Sequence, residues 1–143
     1  VELINENPDI NAWNATGPIE NEIELNKHSF VKCAVSETNK ILYCFRKSPA
    51  FSKIKIQKKY IRKILGIIAF KKQTIMHYPN LSESVIEKSE YIEQIRLIAN
   101  NIDLYSFELP YSLPSVNEPN EVEEVYRYIE KNNVQKNILN TIK

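Results

Sequence analysis

A chain of 143 residues, in which 19 lysines and arginines nearly cancel 18 aspartates and glutamates, has the length of one domain. It has no overall field that would draw it to nucleic acid or to an anionic membrane surface, so any charged partner must be bound locally. The longest apolar stretch, residues 61–70, contains Arg62 and Lys63 and is far short of the roughly 20 residues that span a bilayer, so membrane insertion is not expected.

Residues 1–7 carry neither the basic and apolar regions of a signal peptide nor an initiator methionine, and read as the tail of a helix that begins earlier. Residues 11–19 mix apolar and small side chains and end at Gly17-Pro18, as a strand leaving a buried sheet does. The polar, acidic residues 20–26 are expected as a loop. Residues 30–35 and 40–45 predict a hairpin around a four-residue turn. That register sets Cys33 opposite Leu42 and Cys44 one diagonal step away, about 7–8 Å, too far for an unstrained disulfide. With no CxxC or Cys/His zinc spacing, the two cysteines are expected as free thiols in a reducing cytoplasm.

Arg46 and Pro49 lead into a basic run, residues 53–63, whose interleaved Ile54, Ile56 and Ile61 suggest an extended arm. Such a run can bind phosphate or RNA, but balanced total charge and the lack of an RNA-binding motif favour a solvated loop or dimer arm. Residues 61–70 are the most apolar, β-branched segment and predict a central strand covered on both faces. Ser82 and Ser84 can cap the clearest helix, residues 85–100, with Val85, Ile92, Ile95 and Ala99 on its buried stripe and Glu87, Glu90, Glu93 and Gln94 on neighbouring faces. Residues 102–109 return as a strand. Pro119 lies near the start of a last helix running to Ile129, and residues 131–143 form a polar extension. His28 and His77 have no evident partner. Strands alternating with helices, without repeats, predict an α/β domain: a mixed sheet with an inserted hairpin or dimerisation arm.

Four blocks carry the chain beyond its fold class. Residues 84–96, SVIEKSEYIEQIR, are similar to the SPLExxExLEQLR helix of the 3-deoxy-manno-octulosonate (Kdo) cytidylyltransferases, matching at Ser84, Glu87, Glu90, Glu93, Gln94 and Arg96. In the same order, ILYCFR at 41–46 resembles the family's ALYFSR, GIIAFKK at 66–72 its GIYAYRR, and VNEPNEV at 116–122 its VDTPEDL. The resemblance covers about residues 10–130. It implies that residues 1–130 are the C-terminal, sugar-binding and dimerisation half of a Rossmann-like nucleotide-sugar transferase fold, working as a homodimer. The family's N-terminal signature for the CTP phosphates and its GDEP motif have no counterpart, so a missing N-terminal half is expected as a separate or removed piece.

The activity implied is attack of the anomeric hydroxyl of an acidic, Kdo-like sugar on the α-phosphate of CTP, with release of pyrophosphate. Such transfer relies on cationic groups, Mg²⁺ and positioning. No catalytic residue is expected in this half. The resemblance gives Arg46 a grip on the sugar carboxylate, against its plain reading as a surface arginine flanking a loop. Glu93 and Gln94 would bind sugar hydroxyls, against a solvated helix face. Asn117 stands at the family's second metal-binding aspartate, where a neutral oxygen holds Mg²⁺ less well, against a helix N-cap. Ile64 and Ile68 replace the family's histidine and tyrosine, which implies a different sugar or lost activity. The alternative is a non-enzymatic relative that keeps the fold and the dimer surface.

Overall fold

The computed structural model describes residues 5–142, which fall into two compact units dividing between Ser112 and Leu113. The first is built on five strands: β1 (Ala12–Gly17), β2 (Lys32–Val35), β3 (Ile41–Phe45), β4 (Ile61–Phe70) and β5 (Leu104–Glu108). Their order across the sheet is β3-β2-β4-β1-β5, with β1 and β5 parallel and the other pairs antiparallel. This is the expected mixed α/β sheet, and β4 is central as its composition predicted.

Alternation of side chains places two apolar layers on the sheet. On one face Ala12, Cys33, Val35, Ile41, Cys44 and Leu104 pack with Ile92, Ile95 and Leu97. On the other, Ile19, Leu25, Phe45 and Ile61 form a second cluster with Tyr43, Ile54 and Tyr60 against it. Cover is not continuous along β4, because Ile61 is 1% exposed whereas Ile67 is 64% exposed. Only the first half of that strand is therefore enclosed.

Several segments differ from expectation for local reasons. Residues 20–26 contain α1 (Glu22–Asn26), started by the Asn21 side chain, which accepts from the Glu24 amide at 3.1 Å, and anchored by buried Leu25. The basic run is no extended arm: it folds into α2 (Ile54–Gln57), then a turn, then β4. Buried Gln57 makes the fold, accepting from Ser48 Oγ at 2.9 Å and donating to the Ser52 carbonyl at 2.5 Å. Cys33 lies opposite Cys44 rather than Leu42, because Asn39 turns at φ 62° and the register slips between Ala34 and Val35. Both thiols are free and fully buried.

After β4 come α3 (Lys72–His77) and a 3-10 turn (Tyr78–Asn80), neither of them anticipated. The expected helix over residues 85–100 is two: α4 (Val85–Glu90) and α5 (Gln94–Ala99). Tyr91 breaks it in the left-handed region at φ 54°, its amide closing the turn on the Glu87 carbonyl at 2.8 Å. The break reorients the stripe, so Val85 is exposed while Ile92 and Ile95 are buried.

The second unit holds a 3-10 turn (Pro119–Glu121), α6 (Val122–Lys131) and α7 (Asn133–Ile142). The polar extension is thus helical. Asn132 ends α6 in extended conformation, and its side-chain oxygen accepts from the amides of Val134 and Gln135 to start α7. No helix among the described residues is long and apolar enough to cross a membrane.

Candidate functional site

Open α/β sheets bind ligands toward the carboxyl ends of parallel strands, and here β1 and β5 are the parallel pair. The face of these strands under α5 carries polar side chains where an apolar core would be simplest. Asn14 and Thr16 of β1 are both fully buried. Thr16 Oγ1 lies 2.6 Å from Ser106 Oγ on β5. Next along the stripe, Arg62 Nε of β4 meets Glu108 Oε1 of β5 at 3.1 Å. At the other end Gln94 Nε2 donates to Asn14 Oδ1 at 3.1 Å.

A bulge explains why Asn14 is tolerated in the sheet. Asn14 pairs with Ile68 and Thr16 with Ile64, so Leu65, Gly66 and Ile67 together oppose Ala15. Inside the bulge, Asn14 Nδ2 donates to the Leu65 carbonyl at 2.9 Å, and it donates to the Ala15 carbonyl at 2.7 Å. Sequence reading missed Asn14, Thr16 and Ser106. The available signal was a pair of polar residues two apart inside an apolar strand, which puts both on one face.

The residues singled out in the sequence divide among these surroundings. Gln94 joins the stripe, whereas Glu93 is exposed and offers its backbone carbonyl to Tyr78 Oη at 3.1 Å. Ile68 and Ile64 lie beside the stripe, opposite Asn14 and Thr16; Ile64 is half-buried against the core and Ile68 is 38% exposed. Arg46, half-buried where β3 meets the following loop, is bound to backbone. Its guanidinium donates to the carbonyls of Glu90 at 2.9 Å, His28 at 3.1 Å and Tyr91 at 3.1 Å, clamping the break between α4 and α5.

Three residues of the family-like helix serve one another. Ser84 Oγ accepts from the Glu87 amide at 3.1 Å, the cap of α4. Glu87, expected on a face beside the buried stripe, is itself buried and holds Arg96 Nε and Nη2 with contacts of 2.6–3.1 Å. That carboxylate raises the Arg96 pKa above its ordinary value.

The opposite face of the sheet holds an unexpected cation. Lys32 is fully buried on β2, donating to the Lys27 carbonyl at 2.7 Å. Burial, then the charge of Arg46, lower its pKa to about 8 against an opposing pull from Glu24. Nearby, Lys63 Nζ pairs with Glu24 at 2.6 Å and lies 4.8 Å from the Phe30 ring.

Asn117 belongs to the second unit, where it is exposed and donates through Nδ2 to Ser115 Oγ at 3.0 Å. It is not the N-cap. Glu118 takes that position, and Glu121 Oε2 accepts from the Asn117 and Glu118 amides at 2.6 and 2.8 Å. No group of three or more His, Cys, Asp or Glu residues able to hold a metal ion exists among the described residues. One neutral amide oxygen does not make a Mg²⁺ site, so these residues do not by themselves fit the expected ion.

No family model matches the chain. It is 32% identical over 102 residues to a 3-deoxy-manno-octulosonate cytidylyltransferase of Escherichia coli, covering 71% of this chain and 41% of that one. To the enzyme of the same name from Fusobacterium nucleatum it is 24% identical over 135 residues, 94% of this chain and 55% of that one. A solved structure of CMP:2-keto-3-deoxy-manno-octonic acid synthetase complexed with CTP superposes with a TM-score of 0.78 at 26% identity, over 91% of this chain and 53% of the other. The chain thus spans about half the length, or less, of these relatives. In sequence and in fold the chain is thus similar to the 3-deoxy-manno-octulosonate cytidylyltransferases over part of their length.

Proposed function

We propose that this chain supplies the sugar side of a CTP-dependent cytidylyltransferase that moves CMP onto an acidic, Kdo-like sugar and releases pyrophosphate. The observation that carries the reading is the polar stripe under α5, where Gln94 joins Asn14 beside the parallel strands. Gln94 and Ser106, the half-buried amide and hydroxyl of that stripe, are of the kind that suits a ligand with many hydroxyls. Arg46 has five N–H groups, of which three meet carbonyls, so two remain to attract a sugar carboxylate. The chain corresponds to the C-terminal half of such an enzyme, a homodimer of the cytoplasm. The CTP phosphates and their Mg²⁺ are held by a segment other than the residues described.

The test is pyrophosphate release by the native polypeptide given CTP, Mg²⁺ and Kdo. Turnover is expected there and not from the purified 143-residue chain alone. Absence of turnover with Kdo and with other acidic sugars overturns the reading. It would leave the second one, a non-enzymatic relative keeping fold and dimer surface, which the apolar Ile64 and Ile68 beside the stripe favour.

A further inference from the structure

We infer that Asn14 is a positioning residue that fixes the orientation of the Gln94 amide, so that its carbonyl oxygen is the acceptor left for the ligand. The inference rests on the proposed sugar site and adds to it the chemistry of the group that Gln94 reads. Asn14 is fully buried and cannot turn over freely. Its Nδ2 has two N–H donors, and two acceptors meet it, the Ala15 carbonyl at 2.7 Å and the Leu65 carbonyl at 2.9 Å. A flipped Asn14 would set its oxygen against both carbonyls and lose both bonds, so the network dictates its orientation.

The consequence passes to the next side chain. With Nδ2 committed to the bulge, only Oδ1 can face Gln94, and an acceptor there demands a donor. Gln94 therefore turns Nε2 inward, to the 3.1 Å bond, and its Oε1 outward. That oxygen receives no hydrogen bond from any described residue. A free glutamine can exchange the places of its donor and acceptor ends, but this one keeps one N–H on Asn14 and its acceptor in a fixed place. The ligand group opposite Oε1 must donate, as a hydroxyl does and an ether or keto oxygen does not.

Two measurements decide the matter on the chain as it exists. In ¹⁵N-labelled protein the Gln94 side-chain NH₂ should show one proton shifted and protected by its bond, and Asn14→Ala should remove that signature while the backbone pattern of β1 persists. An unaltered Gln94 NH₂ pair overturns the inference without reference to any ligand. The second is a double-mutant cycle on Kdo affinity. Asn14→Ala should weaken Kdo binding about five- to tenfold when Gln94 is present and less than twofold in a Gln94→Ala background. Equal losses in both backgrounds would make Asn14 merely structural and overturn the inference. Should Asn14→Ala fail to fold, Asn14→Ser, which can still donate to one carbonyl, replaces it in both experiments. If the wild-type chain and the native polypeptide bind no Kdo, the functional reading fails, and the NMR signature alone decides the placement of the amide.

Discussion

Arg46 Nη2 donates to the carbonyl of Tyr91 at 3.1 Å, so the residue that follows β3 holds the left-handed residue that breaks the family-like helix. A non-glycine residue at positive φ persists only where its surroundings compensate. Two further carbonyls, of Glu90 and His28, complete the clamp. Arg46→Lys keeps the charge and loses the planar fork. It should lower unfolding free energy by about 1.5–3 kcal/mol, the range for hydrogen bonds to charged groups, as read by denaturant titration. Unchanged stability would show that the clamp is dispensable and leave the guanidinium only its proposed part in binding the sugar carboxylate.

How much of this was legible follows from sequence distance. The strand over residues 61–70 carries its signal within itself, in a β-branched run, and its bounds are the observed ones. The hairpin was visible, but its register was set by Asn39 adopting φ 62°, which a four-residue turn does not reveal. Helix periodicity located the burial of Ile92 and Ile95 and missed the break between them and Val85. The partner that stabilises that break lies 44 and 45 residues away. Gln94 was identified from family resemblance alone; Asn14, which orients it, is 80 residues distant and shares no motif with it.

Lys32 predicts an unusual pH dependence. Its folded pKa of about 8 lies below the ordinary 10.5. Below about pH 8 both folded and unfolded chains carry the charge, and the folded state bears the full burial penalty. Between about pH 8 and 10.5 the unfolded chain binds more protons, so this lysine's contribution to stability rises with pH. Lys32→Met should equal or exceed the wild type at pH 7, by on the order of 1–3 kcal/mol after allowance for solvent screening. The advantage should shrink by pH 10. Parallel denaturation curves at both pH values check it, and a constant difference between the two proteins would refute it.

The comparison must be differential because the thiols pull the other way. Burial pushes Cys44 up to about 12 and Cys33 well above its ordinary value. Above about pH 9 the unfolded chain loses thiol protons first, and stability falls. The same burial predicts kinetic silence, since the thiolate is the nucleophile. A thiol reagent at pH 8 should modify neither cysteine in the folded chain and both in denaturant. Rapid modification of the native chain would show that the core opens around β2 and β3 without global unfolding.

Asn117 separates a metal role from a local one. Its side chain bonds Ser115, and its amide joins that of Glu118 on the Glu121 carboxylate. Asn117→Asp adds a charge near the start of α6, where the helix dipole favours it by a few tenths of a kcal/mol. The Glu121 carboxylate, bonded to the backbone amide of the same residue, opposes the added charge by a similar amount. Stability should therefore change by less than about 1 kcal/mol. With no metal-binding cluster among the described residues, the Mg²⁺ concentration giving half-maximal activity of the native polypeptide should stay the same. Titration of the labelled chain with Mg²⁺ alone should likewise leave the amide of residue 117 unmoved in both variants. A drop in the Mg²⁺ requirement, or a Mg²⁺-dependent shift at residue 117 in Asn117→Asp only, would mean that the position faces the ion and that asparagine has weakened its hold.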